Sequence, residues 1–203
     1  MKPLLLAFSL LLLGTSPALA AAPTHDTLPA GQVNDSGSLY QLQAKLEGGD
    51  GKKVGLDVFR GQPVLISLFY GRCPAACPML ISQIKRIEAG LSPEARAGMR
   101  VLLVSMDPKS DTPEVMAALT EAHRLDGRWK LTRTEDAKVQ EIAAVLGVRY
   151  RKLKSGQINH STVVTVLDAA GNPVARVDGL NKPLEDVIAR AEALGRAAPR
   201  AAR

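Results

Sequence analysis

The sequence predicts an α/β sandwich in which a mixed central sheet is flanked by helices, with an N-terminal hairpin and inserted elements. Three observations lead there. Residues 64–70 and 99–106 are nearly continuous apolar runs, the character of strands buried on both faces. Segments of helical period follow them, and a hairpin with a terminal helix closes the chain.

Taken in order, residues 39–46 and 54–56 flank Gly48-Gly49-Asp50-Gly51, a strong hairpin signal. Gly61-Gln62-Pro63 opens the first central strand. Pro78 begins a segment with Leu80, Ile81, Ile84 and Ile87 on one face, which reads as a helix. After the strand at 99–106, Asp111-Thr112-Pro113-Glu114 is a helix start in which Asp111 supplies the capping side chain. The helix it opens carries Val115, Met116, Leu119 and Ala122. A short strand at 129–132 leads to a helix with Val139, Ile142, Ala143 and Leu146 stacked and Gly147 at its end. Residues 149–154 and 161–167 bracket Ser155-Gly156, residues 168–172 turn into a strand at 174–177, and a helix at 183–194 presents Leu184, Val187, Ile188 and Ala191. This order matches a thioredoxin-like fold spanning 39–194, with 21–38 a flexible lead and 195–203 a frayed, disordered tail.

Composition agrees with one domain. Of 203 residues, 46% are apolar, 26 Lys and Arg face 20 Asp and Glu, and only two are cysteine. Collagen-like, coiled-coil, disulfide-dense and disordered chains each need a bias absent here. The net charge of +6 is scattered, and seven aromatics form no stacking platform, so nucleic acid is not the expected partner.

The first twenty residues point to export. Lys2 gives a positive start, residues 4–13 are greasy, and Ala18-Leu19-Ala20 is a small-x-small cleavage site, so 1–20 reads as a signal peptide. The greasy run is about half of the roughly 20 residues a membrane-spanning helix needs. No cysteine lies near the cleavage point to take a lipid, and contact with a membrane is expected only through a client or an uncleaved segment. The protein is expected to be periplasmic or otherwise exported, where disulfides can form.

Both cysteines lie where α/β folds place sites. Cys73-Pro74-Ala75-Ala76-Cys77-Pro78 joins the carboxyl end of a buried strand to a helix N-terminus. Unsatisfied N–H groups and the helix dipole there are expected to lower a thiol pKa. Pro78 is expected at the first helical position, with residues 73–76 in a tight turn. Two buried structural cysteines or a locally closed disulfide would also fit the spacing. His160, in Asn159-His160-Ser161, is the third element; two thiolates and an imidazole suit copper, whereas zinc lacks a fourth protein ligand.

Four groups of residues resemble the Sco/SenC family. They are Phe69-Tyr70-Gly71-Arg72-Cys73-Pro74-Ala75-Ala76-Cys77-Pro78; Val104-Ser105-Met106-Asp107-Pro108 with Asp111-Thr112-Pro113; Leu146-Gly147-Val148; and Asn159-His160-Ser161. The resemblance covers about 39–194 and implies a thioredoxin-fold copper metallochaperone for the dinuclear copper site of cytochrome c oxidase. It further implies that Cys73, Cys77 and His160 are the ligands of Cu(I) or Cu(II). The implied partner is the apo copper-site subunit of the oxidase or another periplasmic copper protein. The chain has Arg72, Ala75 and Asn159 where the family often has Thr, an acid and Asp. Fewer carboxylates and an added Arg72 are expected to favour the thiolate form and the docking of a partner's anionic surface.

A thiol-disulfide oxidoreductase is the alternative, with Cys73 and Cys77 exchanging disulfides and His160 tuning them. A peroxide-reducing variant is weaker still, because no arginine and hydroxyl can be assigned beside a sulfur. Reductases of thioredoxin type usually space their cysteines three apart and set a proline before the facing strand. Here the spacing is four, and residues 149–165 hold no proline but offer His160, which favours copper delivery. Asp107 and Asp111 are candidate supporting residues. Met79 and Met106 are expected to fill core gaps, His123 to sit at a helix C-terminus, and His25 to lie near the mature N-terminus. Arg149, Arg151, Lys152 and Lys154 read as one solvated strand region able to steer an acidic partner.

Overall fold

In the computed structural model, which describes residues 37–73 and 76–199, the backbone of 64–69 and its neighbours organises everything else. The expected signal peptide, the lead as far as residue 36, Pro74, Ala75 and residues 200–203 lie outside the described residues. None of the described helices is long and apolar enough to cross a membrane.

The elements run β1 (Lys45–Gly48), β2 (Lys53–Gly55), β3 (Val64–Phe69), α1 (Ala76–Ala89), α2 (Pro93–Gly98), β4 (Arg100–Ser105), α3 (Pro113–Ala122), β5 (Trp129–Arg133) and α4 (Asp136–Val145). They continue with β6 (Tyr150–Lys152), β7 (Ile158–His160), β8 (Val163–Leu167), β9 (Pro173–Asp178) and α5 (Glu185–Ala197). Seven strands form one sheet in the order β2-β1-β5-β4-β3-β8-β9. β3, β4 and β5 are parallel, while β8 runs antiparallel to β3 and β9 to β8. The sheet is mixed, as its alternating strands and helices followed by a hairpin require.

β3 and β4 are largely apolar because both faces are covered, with Ser67 satisfied inside β3 by donating to the Val163 carbonyl at 2.6 Å. Leu65, Phe69, Val101 and Leu103 pack on one face with Leu80, Ile81 and Ile84 of α1 and Val187 and Ala191 of α5. Ile66, Leu68, Leu102 and Val104 pack on the other with Leu39, Leu56, Val139, Ile142 and Leu146. Apart from Ala191, each of these buried side chains contributes about 1.5–3 kcal/mol relative to exposure.

Several boundaries differ from expectation. The expected strand at 39–46 begins as a 3₁₀ turn, Leu39–Gln41, which Ser38 caps by accepting the Tyr40 N–H at 3.1 Å, and is extended only from Lys45. A second 3₁₀ turn, Leu56–Phe59, follows β2, and α2 lies in a stretch where no element was expected. α5 continues to Ala197, into the expected tail. Gly195 lets it approach α2: a Cβ there would stand 2.3 Å from the Ala95 carbonyl oxygen. The hairpin partner of β6 is β7, and the two form a separate small sheet instead of running into β8.

Candidate metal centre

β3 ends at Phe69, and the chain then leaves the sheet toward α1. The Cys73 N–H donates to the Tyr70 carbonyl at 3.2 Å, closing a turn. Asp111 anchors that turn: both carboxylate oxygens accept from the Gly71 N–H at 3.0 Å, and the Ser105 hydroxyl also donates to the carboxylate. Glycine is required at 71 because a Cβ would come within 2.7 Å of Asp111 Oδ1. Asp111 is therefore not a helix cap as expected; it is fully buried, and Thr112 caps α3 by accepting from the Val115 N–H at 3.4 Å. Burial raises the Asp111 pKa, while donation from Ser105 and Gly71 opposes the shift.

α1 begins at Ala76, two residues earlier than expected. Pro78 is accommodated there because first-turn N–H groups have no intrahelical acceptor, so proline sacrifices nothing. Cys77 is the second residue of the helix and is 4% exposed, whereas Cys73 is half-buried against the same apolar cluster. No disulfide joins Cys73 and Cys77 in the structure.

The helix N-terminus does not lower the Cys77 pKa. Burial, reinforced by negative charge on Cys73 and Asp111, pushes the Cys77 thiol up to about 12. Arg72 does not reverse this, since its guanidinium is bound by Asp107 at 2.9 Å.

His160 closes β7, opposite Tyr150 of β6, and is 9% exposed. Its Nδ1 lies 3.0 Å from the Ser161 carbonyl oxygen. A carbonyl can only accept, so Nδ1 carries the proton and the neutral ring keeps its lone pair on Nε2. Burial lowers the His160 pKa, opposed by the Ser161 carbonyl, and so favours this neutral form.

Tyr70 stands between the two halves. Its ring meets His160 edge-on, with centroids 5.8 Å apart and planes at 85°. The phenol hydrogen-bonds the Cys73 side chain and the Ile158 backbone. Burial first, and then Cys73, raise its pKa to about 12. The structure thus couples Cys73 to Cys77 and places His160 across Tyr70. Among the described residues, no three His, Cys, Asp or Glu side chains are close enough together to hold a metal ion.

The other candidates separate cleanly. Met106 is fully buried in the core, as expected. Met79 is 43% exposed on the outward side of α1, beside a groove of about 210 Å³ shared with Gln83, Arg86 and Leu180, so it is not a core filler. His123 is the C-cap of α3, its carbonyl accepting from Lys85 Nζ at 2.7 Å. His25 lies outside the described residues. Arg149, Arg151 and Lys154 are exposed, but Lys152 is engaged by Asp107 at 3.4 Å and Asp136 at 3.5 Å.

Sequence reasoning assigned no individual role to Tyr70 or Ser105, and it placed Lys152 only among solvated basic residues. The available signal was a polar group, Tyr70 or Ser105, ending each of two otherwise apolar strands.

The family model described as SCO1/SenC matches residues 34–195. A Bacillus subtilis protein named as a SCO1 protein homolog is 24% identical over 144 residues, covering 68% of this chain and 74% of its own. Bradyrhizobium japonicum ScoI with copper bound superposes with a TM-score of 0.62 at 22% identity, covering 74% of this chain and 96% of that one. BsSco, a member of the Sco family of cytochrome c oxidase assembly proteins with an identified disulfide switch, gives 0.66 at 18% identity, covering 81% and 98%.

Proposed function

Because the chain belongs to the SCO1/SenC family, we propose that it is an exported copper metallochaperone that takes copper on Cys73, Cys77 and His160. The apo dinuclear copper site of cytochrome c oxidase, or another periplasmic copper protein, is the proposed recipient. The observation that carries this reading is the donor set. Two thiols pack against one apolar cluster, and a buried imidazole held in its Nδ1–H tautomer offers Nε2 across Tyr70. Two soft sulfurs and one nitrogen suit three-coordinate Cu(I). The oxidoreductase reading shares the sulfurs, and Cys73, as the more exposed thiol, would be the attacking group in it.

The cargo has to bring together groups that stand apart without it. The cysteine turn is fixed by Asp111, whereas the hairpin of β6 and β7 lies outside the main sheet. Displacement of Tyr70 and approach of the hairpin would close the site.

Anaerobic titration of reduced protein with Cu(I), run beside a thiol-exchange assay, tests the proposal. One copper per chain is expected, with His160→Ala weakening retention at least about tenfold, at the lower end of what losing a metal-site group costs, while disulfide reduction is spared. Copper retention unchanged in His160→Ala removes that residue from the site. Full retention by Cys77→Ser against a chelator overturns the two-thiolate carrier.

A further inference from the structure

The cysteine turn and the histidine hairpin belong to different sheets, yet one carboxylate holds both. Asp107 lies just after β4, and its side chain is 11% exposed. Arg72 Nη2 donates to Oδ2 at 2.9 Å, and Lys152 Nζ donates to Oδ1 at 3.4 Å. Arg72 directly precedes Cys73. Lys152 ends the strand whose Tyr150 pairs with His160.

The acid itself is well anchored. Its N–H donates to the Ser105 hydroxyl at 2.9 Å, and its carbonyl accepts from the N–H groups of Ser110 and Asp111 at 2.9 Å each. Ser105 in turn donates to Asp111, the residue that holds Gly71. Solvent-exposed ion pairs stabilise little. Arg72 and Lys152 are themselves 64% and 43% exposed, but the anion they share is nearly covered, so its loss would leave both without that partner.

We propose that Asp107 is a positioning residue: through Arg72 and Lys152 it sets how far the histidine hairpin stands from the cysteine turn, and so how readily His160 closes on the sulfurs. The proposal rests on the copper reading of Cys73, Cys77 and His160. Lys152 has a second anion in Asp136 at 3.5 Å, so the Arg72 arm is the more exclusive one.

Two variants test it: Asp107→Asn, and the double variant Arg72→Ala/Lys152→Ala, which acts only at the outer ends and leaves the buried acid in place. Amide hydrogen exchange in the reduced, copper-free protein should speed up about tenfold at residues 150–152 and 158–160, a coupling of ordinary size for contacting groups. β3 and β4 should not change. Cu(I) retention against a chelator should fall by a similar factor. Asp107→Asn should add nothing further in a His160→Ala background.

Unchanged hairpin exchange in the double variant overturns the proposal. So does equal acceleration throughout β3 and β4, which would mark a general structural role, or an undiminished further loss of copper in the His160→Ala background. Wild-type copper retention by His160→Ala itself would sink the ligand reading and the positioning claim with it, while the exchange data would still report separately whether the ionic link exists.

Discussion

The Cys77 thiol sets the sharpest quantitative expectation. It is 4% exposed and raised from an ordinary 9.0 to about 12, by burial first and then by negative charge on Cys73 and Asp111. At pH 8 an ordinary thiol is about one-tenth ionised, whereas one at this value is ionised in roughly one molecule in ten thousand. The same three-unit difference corresponds to about 4 kcal/mol between protonation states. Because the folded pKa lies above the unfolded one, the contribution to stability is complete below about pH 9 and is lost as pH rises toward 12. At pH 11, about 2.7 kcal/mol of it should be gone.

Two measurements check this in the reduced, copper-free protein. The ¹³Cβ resonance of Cys77 should remain that of a thiol through pH 10. In urea unfolding, the difference between wild type and Cys77→Ala should be constant up to about pH 9 and then change in favour of the alanine variant; the comparison removes the parallel loss from Tyr70, raised in the same window. A resonance midpoint at or below pH 9, or a difference that stays constant to pH 11, refutes the reasoning. The chemical consequence is that Cys77 is a poor ready-made nucleophile, and a metal ion that binds it must displace a proton.

Three further substitutions probe the frame. Tyr70→Phe deletes the hydroxyl shared with Cys73 and Ile158 but keeps the ring edge toward His160; chemical denaturation should register a loss of about 1 kcal/mol, and no measurable loss would deny the bond. Glu88, 3% exposed, accepts from Arg128 Nη1 at 2.6 Å and Trp129 Nε1 at 3.1 Å. Glu88→Ala takes the acceptor from a buried indole N–H and leaves Arg128 to Asp126, which it still meets at 2.6 Å, so it should cost about 1–3 kcal/mol, read as a lower urea midpoint. Gly195→Ala sets a methyl 2.3 Å from the Ala95 carbonyl oxygen and should push α2 off α5; thermal unfolding should show a loss of about 1–3 kcal/mol from overpacking, and wild-type stability would mean that the helices separate freely.

What could be read from the sequence was whatever depends on pattern. The runs at 64–70 and 99–106 announced β3 and β4 because a strand covered on both faces has no polar alternation to hide it. Leu80, Ile81, Ile84 and Ile87 likewise announced α1. The strand at 39–46 failed because Leu39 and Tyr40 are buried by a capped 3₁₀ turn, and burial alone does not distinguish a turn from a strand. α2 was missed because six residues give too little period to read, although Ser92 accepting the Ala95 N–H is an ordinary N-cap. At the site, residue types were legible and partners were not. Asp111 looked like a cap from its place before Thr112-Pro113, and only the fold brings Gly71 to it across forty positions. Cys77 looked activated at a helix start, but desolvation outweighs the dipole.

If Cys73, Cys77 and His160 hold copper as proposed, the division of the site between two sheets bears on release. Cys73 and Cys77 are tied to the main sheet through β3, α1 and Asp111, and this part of the molecule shares its stability. His160 is carried by a two-stranded sheet, and such ribbons are marginal alone. It is secured locally by the Ser161 N–H donating to the Arg149 carbonyl at 2.8 Å, by Tyr70, and by Lys152 reaching Asp107. A permanent metal centre gains from ligands set on one rigid element. A carrier must also let go, and a ligand on a hairpin can withdraw without unfolding the core, leaving a two-sulfur complex open to exchange with a recipient's sulfur. The protonated Cys77 works in the same direction. On the proposed copper reading, a proton that returns to the sulfur as copper departs would stabilise the emptied protein, so release would be favoured over recapture wherever a recipient's own thiols ionise more easily.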